Sequence, residues 1–336
     1  MLSRVADSVY WMNRQIERAE NVARAVETTL DLALDGTISP GRLWNALVCT
    51  FGDEADFWAR FGLADQANVI SFLAFDQTNP NSITSCLQAA RENARTVRDM
   101  ISTPMWEEIN KAHLYVRSAA AAHAEIDDPR EFLDEMKRAS QLITGVADAT
   151  MSHGEAWHFA RMGRLIERAD KTSRVVDVEH YFRPAAARIT SPASETEASL
   201  EVGTDAVQWS AVLESASALE MYRKAYGAVT RRNVAEFLIF DRFFPRAMHF
   251  CLIKAEESLL AITGGSKGAY TNPAEQRLGR LRSQLDYGAI DEILGDAAGL
   301  HGFIDAFQAG LNRASNAIFD TFFALRPVGS AAEAAG

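Results

Sequence analysis

Apolar residues recur at alternating spacings of three and four along most of the chain, the period of an amphipathic helix. The first segment is the clearest. Val5, Val9, Met12, Ile16, Ala19, Ala23, Val26 and Leu30 form one continuous seam. The same period predicts further helices over about 41–61, 80–101, 104–124, 129–151, 155–182, 205–226, 245–262, 272–286 and 298–325. Ser39-Pro40 and Asp128-Pro129 supply helix-start chemistry, because proline in the first turn gives up only an N–H that the helix would leave unused. Asp35-Gly36 follows a helix and reads as its stop. Alternating strand patterns joined by Asn-Gly or Asp-Gly turns are absent. The expected fold class is all-α, a multi-helix bundle.

The polar positions carry a second pattern. MNRQIERAENVARAVE (12–27) returns as MGRLIERADKTSRVVD (162–177), with Met12, Arg14, Ile16, Glu17, Arg18, Ala19, Arg24 and Val26 repeated at a spacing of 150. Trp44 and Trp209, then VISFLAFDQTNPNSITSCL (69–87) and VAEFLIFDRFFPRAMHFCL (234–252), match at a spacing of 165. The segment 183–205, rich in Pro, Ala, Ser and Thr, supplies the difference and is expected to be a flexible surface loop. The chain is therefore expected to be one domain over 1–326, built from two duplicated helical repeats of about 1–150 and 151–326. The tail 327–336 is expected to be disordered.

Composition narrows the function classes. A chain of 336 residues with 48% hydrophobic and 24% charged content can bury a sizeable core. A net charge of −11 argues against a phosphate-backbone binder, so no nucleic-acid partner is expected. Three cysteines, Cys49, Cys86 and Cys251, form no C-x-x-C pair and suit a reducing, cytoplasmic compartment. No apolar run approaches the ~18 residues of a membrane span, and no signal peptide fits the charged first helix.

On the first helix Tyr10, Arg14, Glu17, Asn21 and Arg24 form a stripe opposite the apolar seam. Three readings stand: a solvated face laced with pairs such as Arg14–Glu17, a buried ion network, or a polar binding site. The return of Arg14, Glu17, Arg18 and Arg24 as Arg164, Glu167, Arg168 and Arg174 weighs against plain surface. The motif FD-x-x-x-P occurs twice, with Asp76 and Asp241 in positions that suit a turn leading into a helix. Arg242 and Arg246 make the second copy more basic, a chemistry suited to carboxylate or phosphate. Glu155-x-x-His158 has di-iron spacing but no second such motif, so no metal is expected. Nucleotide-binding loops and the common hydrolase motifs are absent, and the glycines of 263–268 read as a helix stop.

MLSRVADSVYWMNRQIERAENVAR, AFDQTNPNSITSCLQAARENARTVRD, MWEEIN and the second ERAD together resemble the alpha-E family over essentially the whole chain. The resemblance implies a setting beside a circularly permuted ATP-grasp protein, with transglutaminase-like or proteasome-like peptidases as further neighbours. ATP would then sit on the partner ligase and no cofactor on this chain. With Met1 leading into the first helix, no ATP-grasp module is expected upstream. The leading expectation is a helical accessory protein of an amidoligase system, binding the ligase, a carboxylate-bearing peptide, or both. The alternative is an amide-bond transferase or hydrolase using Glu17 or Glu167 as acid/base. A di-iron oxidase is a third class, requiring a partner for Glu155 and His158.

Overall fold

The computed structural model describes residues 1–122, 128–178 and 202–324, apart from the side chains of 202–205. Among them every regular element is helical. The first half holds α1 (Ser3–Asp35), α2 (Pro40–Phe51), α3 (Glu54–Arg60), α4 (Gln66–Ile70) running into a π-helical turn (Ser71–Phe75), α5 (Ile83–Thr96), α6 (Thr103–Ala121) and α7 (Arg130–Thr150). The second holds α8 (Glu155–Val176), α9 (Val202–Ser215), α10 (Leu219–Ala225), α11 (Arg231–Phe240), α12 (Met248–Thr263), α13 (Pro273–Tyr287), α14 (Ile290–Gly295) and α15 (Gly299–Ile318), which ends in a π-helical turn (Phe319–Phe323).

Two long helices, α1 and α8, pack against each other at the centre. Their partners keep a nearly constant offset in sequence. The Met1 amino group reaches Glu155 Oε2 at 2.8 Å, Gly163 abuts the Tyr10 carbonyl, and Arg14 reaches Glu167. The pair is therefore parallel and in register. Glycine at 163 permits the close approach, since a Cβ there would stand 2.4 Å from Tyr10 O. Each central helix gathers a matching set: α5 and α7 pack on α1 with α6 against both, and α12 and α15 pack on α8 with α13 against both. The apolar seam of α1 is buried as its period requires, with Val9, Met12, Ala23 and Val26 at 0% exposure. A three-ring cluster in each half follows the 165 spacing. Phe57 stacks on Phe61 at 5.1 Å with Phe72 edge-on, and Tyr222 stacks on Tyr226 at 5.0 Å with Phe237 edge-on.

The expected helix over 41–61 is broken at Gly52, where a Cβ would meet Val48 O at 2.9 Å and the Phe72 ring at 3.1 Å. Asp53 then caps α3 through the Asp56 N–H. The helix over 205–226 is interrupted at 216–218, where Ser217 takes a left-handed φ of 47°. The start at 80 shifts to Ile83, because Ser82 accepts from Ser85 N as the cap. Segments 66–75 and 231–240 are helical although no helix was expected there. Apolar residues on consecutive positions mask the 3.6 period in these short stretches. The short helix α14 also lacked a signal. Residues 183–201 of the expected loop and all of the expected tail lie outside the described residues, while 202–205 open α9 rather than ending a loop. Among the described residues no helix is long and apolar enough to cross a membrane.

Candidate functional site

The α1–α8 interface carries a polar layer in which each glutamate is held mainly by the other helix. Arg168 grips Glu17 in a bidentate fork, Nε to Oε1 at 2.8 Å and Nη2 to Oε2 at 2.7 Å. In return, Arg14 Nε donates to Glu167 Oε2 at 2.8 Å and Arg18 Nε to Glu167 Oε1 at 2.7 Å. Glu17 and Glu167 are 1% and 0% exposed. The intrahelical pair Arg14–Glu17 of the solvated-face reading is replaced by this crossing, because the parallel register sets Arg14 against Glu167. Asn21 adds a bond to Glu17 Oε1 at 2.9 Å, and Lys171 stands 3.6 Å from Glu167 Oε1.

A turn further along lie Glu20 and Asp170. Arg24 donates to Glu20, and Ser140 Oγ on α7 reaches its other oxygen at 2.6 Å. Asp170 takes Arg174 at 3.0 Å and Lys171 at 3.1 Å. The FD-x-x-x-P turns feed this layer without their aspartates joining it. Asp76 is bound by Arg60 and by the Thr78 backbone and hydroxyl, and Asp241 accepts the Phe243 and Phe244 N–H groups. These turns position the residue after proline: Asn81 accepts from Arg18 Nη1 at 2.7 Å, while Arg246 reaches Glu17, Glu20 and Asn21. Arg246 thus stands where the first half has Asn81, and the added guanidinium makes the halves unlike. Arg164 differs from its counterpart Arg14 as well: its Nε is buried with no hydrogen-bond partner.

The electrostatics fix protonation states. Burial would raise the carboxyl pKa values, yet the facing cations win. Arg168 and Arg246 pull Glu17 down to about 2, and Arg14, Lys171 and Arg18 pull Glu167 lower still. Arg246 is depressed to about 10, by burial first and then by Arg168 beside it. Burial pushes Cys86 and Cys251 up to about 12, so neither is a ready thiolate. Among the described residues, six cations in this layer (Arg14, Arg18, Arg24, Arg168, Lys171 and Arg246) pair with four carboxylates (Glu17, Glu20, Glu167 and Asp170).

At one end the layer opens on a cleft of about 440 Å3, between Arg24, α7, Arg168 and the turn 244–246, with Ser217 also on its wall. Sequence reasoning missed Lys137 and Arg138, which line it from α7 in a region without recognisable repeat. It also passed over Ser217, whose Oγ accepts from Arg24. The E-x-x-H residues are used structurally. Glu155 holds the Met1 amino group, and His158 stands edge-on to Trp157, on which His153 stacks. Elsewhere Asp177, His301 and Asp305 bring possible ligand atoms within 4.8 Å, and a hydrogen bond of 2.8 Å already joins His301 Nδ1 to Asp177.

An all-helical bundle organised around two Glu-Arg dipeptides, Glu17-Arg18 and Glu167-Arg168, defines the class. The chain belongs to the Alpha-E family, described as a predicted alpha-helical domain with a conserved ER motif, whose model matches residues 1–323. Uncharacterized proteins of Mycobacterium bovis and Mycobacterium tuberculosis are 22% identical over 339 residues, which cover 96% of this chain. The chain spans 36% of the length of these curated relatives. No solved structure matches it.

Proposed function

We propose that this protein is a helical accessory partner of an ATP-grasp amidoligase system, binding a carboxylate-bearing peptide for amide or peptide bond formation. ATP would be held by the ligase, and the setting is cytoplasmic. The observation that carries the reading is the surplus of cations over carboxylates in a buried layer that opens on a cleft. A chain with a net charge of −11 gathers six cations around four acids there, among the described residues. Guanidinium groups suit carboxylates through paired N–H donors. The reciprocal Glu–Arg crossing and the two three-ring clusters support duplicated repeats within one domain, with the paired layer fixing their register.

The geometry favours binding over acid/base catalysis by Glu17 or Glu167. A general acid or base needs a pKa near the working pH and reach to a substrate proton. Both glutamates are ionised, buried and occupied by arginines, and neither lines the cleft. Co-purification with a circularly permuted ATP-grasp protein from the same cell tests the proposal. A stable complex that raises ligase turnover is expected; no complex together with unchanged turnover would overturn it.

A further inference from the structure

The cleft has its own charge balance. Its lining cations are Arg24, Lys137, Arg138, Arg168 and Arg246, and the carboxylate on its wall is Asp134. The carboxylates paired with these cations are Glu17, Glu20, Glu27 and Asp134. Among the described residues, five positive charges against four negative leave a surplus of one. Donor capacity is also left over. Arg168 Nη1 reaches only the Pro245 carbonyl, at 3.5 Å, and Arg138 stands 3.9 Å from Asp134, beyond hydrogen-bonding distance. The site can therefore neutralise one added anionic charge. A phosphate near pH 7, carrying about −1.5 to −2, would overshoot, as would a ligand with two carboxylates.

The cleft also has an apolar part, lined by Phe244, Pro245 and Ala216. Phe244 is fixed by packing on Phe237 at 5.0 Å between ring centroids. An apolar side chain laid on this ring and on Pro245 would leave water at little polar cost.

We propose that the cleft binds a single peptide C-terminal carboxylate whose terminal residue is apolar and packs against Phe244 and Pro245. This rests on the carboxylate-binding reading above and narrows it to a monoanion with an apolar side chain. The first half has no counterpart, because Asn81 stands in place of Arg246.

The test is calorimetric titration of the full chain with four probes, the peptides being N-acetylated so that their only charges are carboxylates: alanyl-phenylalanine, its C-terminal amide, glutamyl-glutamate and inorganic phosphate. Alanyl-phenylalanine is expected to bind at least tenfold more tightly than each of the others. If the amide binds as well as the acid, or no probe binds, the carboxylate reading of the cleft and this inference both fail. If glutamyl-glutamate matches or exceeds alanyl-phenylalanine, this inference alone is overturned and carboxylate binding stands. Tightest binding of phosphate would refute the monoanion argument. Two variants keep the test independent of folding. Arg138→Gln, at a side chain 72% exposed, is expected to weaken the acid severalfold with an unchanged circular dichroism spectrum. Phe244→Leu, which trims a cleft-lining ring but keeps an apolar side chain, is expected to reduce the preference for phenylalanine over glutamate severalfold with an unchanged circular dichroism spectrum; a preserved preference would sink the apolar half of the proposal.

Discussion

At the residue scale, Glu167 is the clearest case of a charge retained by the penalty for disturbing it. It is fully buried and takes hydrogen bonds from both Arg14 and Arg18. Removing one partner of such a set leaves buried charges uncompensated, which costs about 3–5 kcal/mol. Glu167→Gln is therefore expected to lose stability of that order, read from the midpoint of a urea transition; a loss near zero would mean that the cations relax into water. The carboxylates also set an acid limit. Glu17 ionises near pH 2 in the fold against an ordinary value near 4.5, so its stabilisation is complete above 4.5. It drains away as pH falls from 4.5 towards 2, and Glu167 shifts in the same direction. Stability measured across that window should fall more steeply in the parent than in Glu17→Gln.

Between elements, the parallel contact of α1 with α8 depends on a missing side chain. A Cβ at position 163 would lie 2.4 Å from the Tyr10 carbonyl, which is backbone and cannot swing aside. Gly163→Ala is expected to cost about 1–3 kcal/mol, the usual range for overpacking, and to lower the thermal midpoint. Gly145→Ala, with nothing within 4 Å of its added Cβ, serves as the control and should be neutral or stabilising. Long helices were legible in the sequence because their seams run for several turns: α1, α6, α7, α8 and α13 lie close to their expected spans. Short ones were not. α4, α11 and α14 have too few turns for a period to emerge, and only the backbone contact at Gly52 or the left-handed Ser217 marks where neighbouring helices end. The site was half legible. Repetition exposed Arg14, Glu17, Arg18, Arg24 and their echoes, whereas Lys137, Ser140 and Ser217 reach the layer through tertiary packing that no local pattern encodes.

For the whole molecule, the crossing of charges makes the halves interdependent. Glu17 finds Arg168 and Arg246 only in the second half, and Glu167 finds Arg14 and Arg18 only in the first. Neither half alone can bury its glutamate with these partners. Residues 1–150 and 151–336 expressed separately are expected to be unfolded or aggregated, and co-expression should recover a soluble heterodimer with native helicity. An independently folded, cooperative 1–150 fragment would show that the layer is not what holds the bundle together.

The in-register crossing also bears on how the chain is made. During synthesis Glu17 leaves the ribosome about 150 residues before Arg168, an interval of roughly 8–30 s at usual elongation rates of about 5–20 residues per second. Throughout that delay the polar face of α1 has to stay wetted, or be shielded by a chaperone. Arg246 arrives later still, so the last guanidinium to join Glu17 is also the one that completes the cleft.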